Sequence, residues 1–227
     1  MKRELNWSPR PAPALGDVSG RFVAVAPANF PDAADFLFPA LGGAENADLW
    51  TYIASGPFSS VADFSAAMIR SIESGGWATH LFHDAATGAP LGMASYMRIR
   101  PEAGSAEVGC VVFSKALKRT SAATEAMYLM ARHVFDDLGY RRYEWKCDNA
   151  NEASKRAALR FGFKFEGVFR QDLVVKGRNR DTVWFSIIDS EWPTVKSAFE
   201  AWLAPDNFGP DGKQRRRLEE FRAARGV

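Results

Sequence analysis

Apolar positions along the chain change period repeatedly, and the changes mark out short elements. Arg21-Phe-Val-Ala-Val-Ala26 reads as a strand, and a helical stretch begins over residues 31–38. Trp50-Thr51-Tyr52 sits in a less regular region. Phe64, Ala67, Met68 and Ile72 then fit one face of a helix over 63–74, which Gly75-Gly76 stops. Residues 78–83 and 90–98 are strand-like, and Asp84-Ala-Ala-Thr-Gly88 between them predicts a hairpin with Gly88 at positive φ. Another apolar strand covers 106–113.

From Ala123 the period lengthens. Ala123, Ala126, Met127, Met130, Ala131, Val134, Phe135 and Leu138 form one helical face ended by Gly139. A strand over 142–147 and a short helix over 151–160 follow. Two strands, 163–169 and 182–188, are linked by a turn around Gly177. Short connections between mixed elements predict one α/β domain over residues 21–190. Residues 1–20, with Pro9, Pro11 and Pro13, read as an extended arm. Residues 191–227 read as a helical extension, with helices over 193–203 and 213–225 and a Pro/Gly linker between them.

Composition narrows the class. Hydrophobic residues are 47% and aromatics 13% of 227, enough for a sizeable core. The formal charge of +2 predicts neither general nucleic-acid binding nor a strongly acidic partner. Arg215-Arg216-Arg217 is the one obvious charge cluster, and a solvated helix face accounts for it. Cys110 and Cys147 form no CxxC pair, so they read as buried free thiols rather than metal ligands. His80 and His83 alternate on a strand without metal-site spacing, and no metal is expected. The amino terminus lacks the apolar core of a secretory signal, and no apolar run approaches the roughly 20 residues of a membrane span. A cytoplasmic protein with no membrane partner is the expectation, with a homodimer left open.

Two stretches carry candidate chemistry. Lys115-Ala-Leu-Lys-Arg-Thr-Ser-Ala-Ala-Thr-Glu-Ala126 turns from strand to helix. The first N–H groups of a helix lack intrahelical partners, and its dipole is positive there. Ser121, Ala122 and Ala123 are small enough to let a pyrophosphate approach, Lys118 and Arg119 add charge, and Thr120 or Ser121 can cap the helix or donate to phosphate. A phosphate cradle and a merely capped helix both fit. In the second stretch, Cys147-Asp-Asn-Ala-Asn-Glu-Ala-Ser154, Asn149 and Glu152 suggest a capping box. Asn151 and Ser154, one turn apart, could instead reach a single ligand together.

The ordered set Glu107-Val-Gly109, Lys118-x-x-Ser121-x-Ala123, Asn151-x-x-Ser154 and Gly162-Phe163 resembles the GNAT superfamily of acyl-CoA-dependent N-acetyltransferases. Its branch similar to the ribosomal-protein N-terminal acetylating enzymes (RimJ/RimL-like) is the nearer match, and the likeness spans residues 20–190. It implies the GNAT fold, a mixed, mostly antiparallel central sheet flanked by helices. Lys118 and Ser121 depart from the family's usual glutamine or arginine and glycine. The tyrosine acid that many family members carry in the helix before the Gly-Phe pair corresponds to Ala158 here.

The resemblance implies acetyl-CoA in a cleft between the strands at 106–113 and 142–147. Its pantetheine would pair with the backbone of Cys110, Val111, Val112 and Phe113, and Asn151 would contact it. A primary amine, on a small molecule or a peptide, attacks the thioester directly. Glu107 is the base candidate, Ser154 the group assisting the thiolate, and Asp148, Glu144 and His133 are weaker alternatives. Trp50, Tyr52, Phe58 and Trp77 are candidates for the acceptor pocket. The alternative reading is a GNAT-fold protein that binds acyl-CoA with little turnover.

Overall fold

A computed structural model of the chain describes residues 5–224. Its strands are β1 (Val18–Ser19), β2 (Val23–Pro27), β3 (Ala78–Asp84), β4 (Pro90–Arg100), β5 (Ser105–Phe113), β6 (Arg142–Asp148), β7 (Lys164–Val175) and β8 (Arg178–Ile188). The helices are α1 (Asp32–Leu41), α2 (Val61–Gly75), α3 (Ser121–Arg132), α4 (Glu152–Arg160), α5 (Trp192–Leu203) and α6 (Leu218–Ala223). All eight strands join in one sheet ordered β1-β2-β3-β4-β5-β6-β8-β7. The β5–β6 pair is parallel and every other pair is antiparallel.

Alternation along the strands divides the core into two. Tyr96, Ala106, Val108, Tyr143 and Trp145 face one side with the buried stripe of α3 and with Trp192, Val195 and Phe199 of α5. Met93 and Val112 face the other side, beneath Leu37 and Leu41 of α1 and Phe64 and Met68 of α2. The hairpin expected at Gly88 forms, with that glycine at φ 72°. The turn at Gly177 forms too, but its strands run farther out, to Val175 and from Arg178. Lys176 and Gly177 both adopt positive φ there, the conformation of a two-residue hairpin turn.

Two expectations need correction. The helix face through Leu138 is not α-helical to its end: residues His133–Asp137 widen into a π turn, with Leu138 N–H reaching His133 O. The predicted helix over 213–225 shrinks to α6, and Arg225 lies outside the described residues. Buried Asn207 is the reason: its carbonyl accepts from Arg215 N–H and its Oδ1 from Arg216 N–H, holding that segment extended. The amino-terminal arm is tied down along the sheet. His80 contacts Leu15 O at 2.9 Å, Tyr140 OH donates to Pro11 O at 2.9 Å, and β1 adds a short outer strand. Among the described residues no helix is long and apolar enough to cross a membrane.

Candidate active site

The sheet opens in its middle. Strands β5 and β6 pair only from Ser105↔Arg142 to Val108↔Trp145 and then separate. A bulge drives the separation: Cys110 adopts φ 46°, and β4–β5 pairing slips between Ser95↔Gly109 and Met93↔Val112. Beyond Gly109, β5 has no strand on its β6 side. The resulting cleft has a volume of about 1580 Å³, above the roughly 300–1,000 Å³ of a single small-ligand site. Cys110, Val111, Val112 and Phe113 all line it.

The first turn of α3 stands at one wall. Thr120 is the cap, its Oγ1 accepting from Ala123 N–H at 3.2 Å and donating to Leu117 O at 2.7 Å. Ala123 N–H is therefore spent. Among the described residues the N–H groups of Arg119, Ser121 and Ala122 have no acceptor. Arg119, at φ 65°, turns the preceding loop, and Lys118 lies 3.9 Å from Asp48. Lys118, Arg119, Thr120, Ser121 and Ala123 border the cleft. Ala122 does not: its side chain faces a shallow hollow beside Phe22 and Leu91. It can contribute only its N–H.

Helix α4 forms the adjoining wall, and its cap differs from expectation. Asn151, not Asn149, is the cap residue, its Oδ1 accepting from Ser154 N–H at 3.0 Å. Asn149 Oδ1 instead lies 3.4 Å from Lys155 Nζ. Asn151 thus keeps only its NH2 group for a ligand. Ser154 Oγ accepts from Trp145 Nε1 at 2.9 Å, leaving its hydroxyl proton to donate. Ala158, at the position of the family's tyrosine, is buried.

The opposite side of the sheet holds a buried charge network. Glu107 receives Arg98 Nη1 at 2.5 Å and Lys146 Nζ at 2.9 Å, both on Oε2. Its Oε1 is free of these partners and lies over Gly109, where an added Cβ would come 3.0 Å from it and 2.4 Å from Met97 Sδ. The glycine of the Glu-Val-Gly motif keeps that space open. Lys146 also reaches Glu144 Oε2 at 2.8 Å and sits 3.7 Å over the Trp184 ring. Burial would raise the Glu144 carboxyl, but hydrogen bonds from Lys146 and Arg142 outweigh it and hold the group low. Glu144 Oε1 accepts from Arg100 and Arg142 while its Oε2 faces the Lys146 ammonium, so this carboxylate is ion-paired on both oxygens.

The remaining candidates separate clearly. Asp148 Oδ1 accepts from Ala150 N–H at 2.8 Å in the turn before α4. His133 pairs with Asp137 at 2.9 Å and accepts from Ala14 N–H, serving the arm. Tyr52 and Trp77 line the cleft, but Trp50 and Phe58 lie in the core, rings 4.8 Å apart. Tyr52 OH donates to Ala150 O at 3.3 Å and Lys176 Nζ to Trp50 O at 2.8 Å, tying the segment between α1 and α2 to the turn before α4 and to the β7–β8 turn. Both cysteines are free; burial pushes the Cys110 thiol up to about 12, far from a thiolate nucleophile. Among the described residues no His, Cys, Asp and Glu cluster could hold a metal. Arg98, Lys146, Arg160 and Arg180 also line the cleft and carry no motif signal.

Comparison with known proteins agrees with this geometry. Residues 24–164 match the Acetyltransferase (GNAT) domain. A GCN5-related N-acetyltransferase structure from Brucella melitensis is 44% identical with a TM-score of 0.90, covering 96% of this chain and 99% of its own. A "probable acetyltransferases (GNAT family)" structure from Chromobacterium violaceum is 36% identical with a TM-score of 0.79, covering 85% and 96%. A curated Bacillus subtilis relative, "Putative ribosomal N-acetyltransferase YdaF", is 28% identical over 48% of this chain. That match spans 59% of the relative's length.

Proposed function

Because the chain belongs to the acetyltransferase (GNAT) domain family, we propose that it moves the acetyl group of acetyl-CoA to a primary amine by direct attack in a ternary complex. The observation that carries this reading is the gap between β5 and β6, opening beside the bare first turn of α3. The N–H groups of Arg119, Ser121 and Ala122, with the Lys118 and Arg119 cations, suit a pyrophosphate. Backbone groups of Cys110 to Phe113 suit the amides of pantetheine, and the Asn151 NH2 adds a donor. Acetyl-CoA is a cosubstrate here, and the mechanism uses no metal.

Two effects supply the rate. The cleft fixes thioester and amine together, and a β5 N–H polarises the thioester carbonyl. Glu107 Oε1 takes the ammonium proton, directly or through one water, before attack. Ser154 Oγ passes a proton to the departing thiolate and regains one, through water, from the nitrogen that attack has left positively charged. Residues 21–190 form the transferase unit on this reading, and 191–227 extend it.

Free thiol released from acetyl-CoA, measured with and without a panel of primary amines, tests the proposal. Amine-dependent release is expected. A raised melting temperature with acetyl-CoA but no release under any amine would leave an acyl-CoA-binding protein in its place.

A further inference from the structure

We propose that the amine accepted at this site is a small molecule carrying its own anionic group, a carboxylate or a phosphate, held by Arg180. The inference rests on the transferase reading above and narrows its substrate. Seven basic side chains line the cleft against two carboxylates, Asp48 and Glu107. Lys118, Arg119, Arg160 and Lys213 lie on the α3–α4–α5 side. There Arg160 donates to Thr124 at 2.9 Å and stacks over Trp202, whose Nε1 donates to Gln214 beside Lys213. These four match the phosphates of acetyl-CoA in sign and number of charges. Asp48 belongs to the rim, near Lys118.

The other three cations, Arg98, Lys146 and Arg180, lie across the sheet with Glu107. Register puts Lys146 and Arg180 on the face of Glu107, and the irregular backbone of β4 at Arg98, φ 44°, turns that side chain to Glu107 as well. Glu107 pairs with Glu144, so Lys146 shares their face; Lys146 pairs with Trp184, and Arg180 is four residues from it on the same face. Glu107 is already shared by Arg98 and Lys146. Arg180 uses Nε on Thr182 Oγ1 at 3.2 Å, and among the described residues its terminal NH2 groups have no partner. The rest of this half is apolar or aromatic: Tyr52, Ile53, Trp77, Met97 and Leu173.

A polycationic amine would bring surplus positive charge into a region where cations already exceed carboxylates, with no acidic group to receive its second ammonium. A carboxylate or phosphate reverses the sign, and a guanidinium fork binds either in two-point fashion.

Steady-state acetylation of leucine, aminoethyl phosphate, leucinamide and spermidine tests this. Leucine or aminoethyl phosphate should exceed leucinamide and spermidine in kcat/KM by about tenfold or more, the low end for a hydrogen bond to a charged group. The faster of the two anionic amines tells carboxylate from phosphate. Arg180→Gln should erase the preference through KM for the anionic amine, with KM for leucinamide unmoved, and Arg180→Lys should restore part of it. Faster turnover of spermidine or leucinamide overturns the proposal while leaving the transferase reading standing. So does a preference that survives in Arg180→Gln. No thiol release with these four or with any other amine overturns both; release confined to amines outside the four overturns this proposal alone.

Discussion

Glu107 and Lys146, on neighbouring parallel strands, meet at 2.9 Å with side chains only 4% and 3% exposed. Lys146 simultaneously faces Glu144, so one ammonium is shared by two buried carboxylates, with Arg98, Arg100 and Arg142 supplying the remaining positive charge. Removing one member of a buried pair leaves uncompensated charge, which costs about 3–5 kcal/mol. Lys146→Met should therefore lower unfolding free energy by about 3 kcal/mol in urea titration. A loss below about 0.5 kcal/mol would show that water or Arg98 and Arg142 already compensate these carboxylates.

Glu107→Gln should lower turnover by about 10²-fold, the low end for general-base catalysis. Oε1 over Gly109 is the oxygen placed to accept the proton. The defect should shrink as pH rises and free amine accumulates, while stabilisation by acetyl-CoA is retained. Wild-type turnover from pH 6 to 9 would remove Glu107 from proton transfer and leave it a structural partner of Lys146.

Ser121 occupies the first turn of α3 with a free N–H facing the cleft. Acetyl-CoA bound only by the folded state raises the melting temperature by mass action. Ser121→Trp should abolish that rise while leaving the ligand-free melting temperature nearly unchanged. An equal rise in both proteins would place the phosphates elsewhere.

Asn151 has two separable duties. Its Oδ1 caps α4, a contact worth about 1 kcal/mol, and its NH2 remains for the cosubstrate. Asn151→Asp keeps the cap and loses the donor; Asn151→Ala loses both. The expected result is near-normal stability with a raised KM for acetyl-CoA in the first, and both defects in the second. A KM change for the amine instead would turn this helix toward the acceptor.

His80 gives the protein an acid sensitivity. Burial lowers its ring below the ordinary value of 6.5, outweighing hydrogen bonds at the carbonyls of Leu15 and Ala78. The unfolded chain thus takes up the proton more readily than the folded one. Stability from this group is fully present above about pH 6.5 and is lost as pH falls through the folded-state value. The fall in melting temperature between pH 7.5 and 5.5 should be smaller in His80→Gln than in the wild type. Equal falls would assign the sensitivity to another group.

What could be read in advance follows sequence distance. Helix faces repeat within a turn and strands within two residues, so the element order and the motifs at 107–109, 118–123 and 151–154 were legible. The cations around Glu107 and beyond it were not. Arg98, Lys146 and Arg180 come from three strands far apart in sequence, and it takes pairing register and the irregular backbone at Arg98 to bring them to one face. The cap at Asn151 was misplaced by two residues because two asparagines flank one alanine, and the sequence does not say which begins the turn. The tail helix failed for a similar reason: the buried amide of Asn207 outcompetes local propensity at Arg215 and Arg216.

Sheets ordinarily keep unpaired strand at their margins, where charge or a covering loop can blunt it. This sheet has a second margin in its interior, between the free stretch of β5 and the end of β6. A pantetheine arm lying there would supply the missing rungs, acting as a partial ninth strand that enters and leaves with every turnover. Those amide hydrogens of Cys110 to Phe113 that point away from β4 should then exchange slowly only while that strand is in place. The empty protein carries an adhesive seam at its centre, ready to pair with any extended peptide that reaches it. Storing it with the cosubstrate should suppress self-association as well as raise its melting temperature.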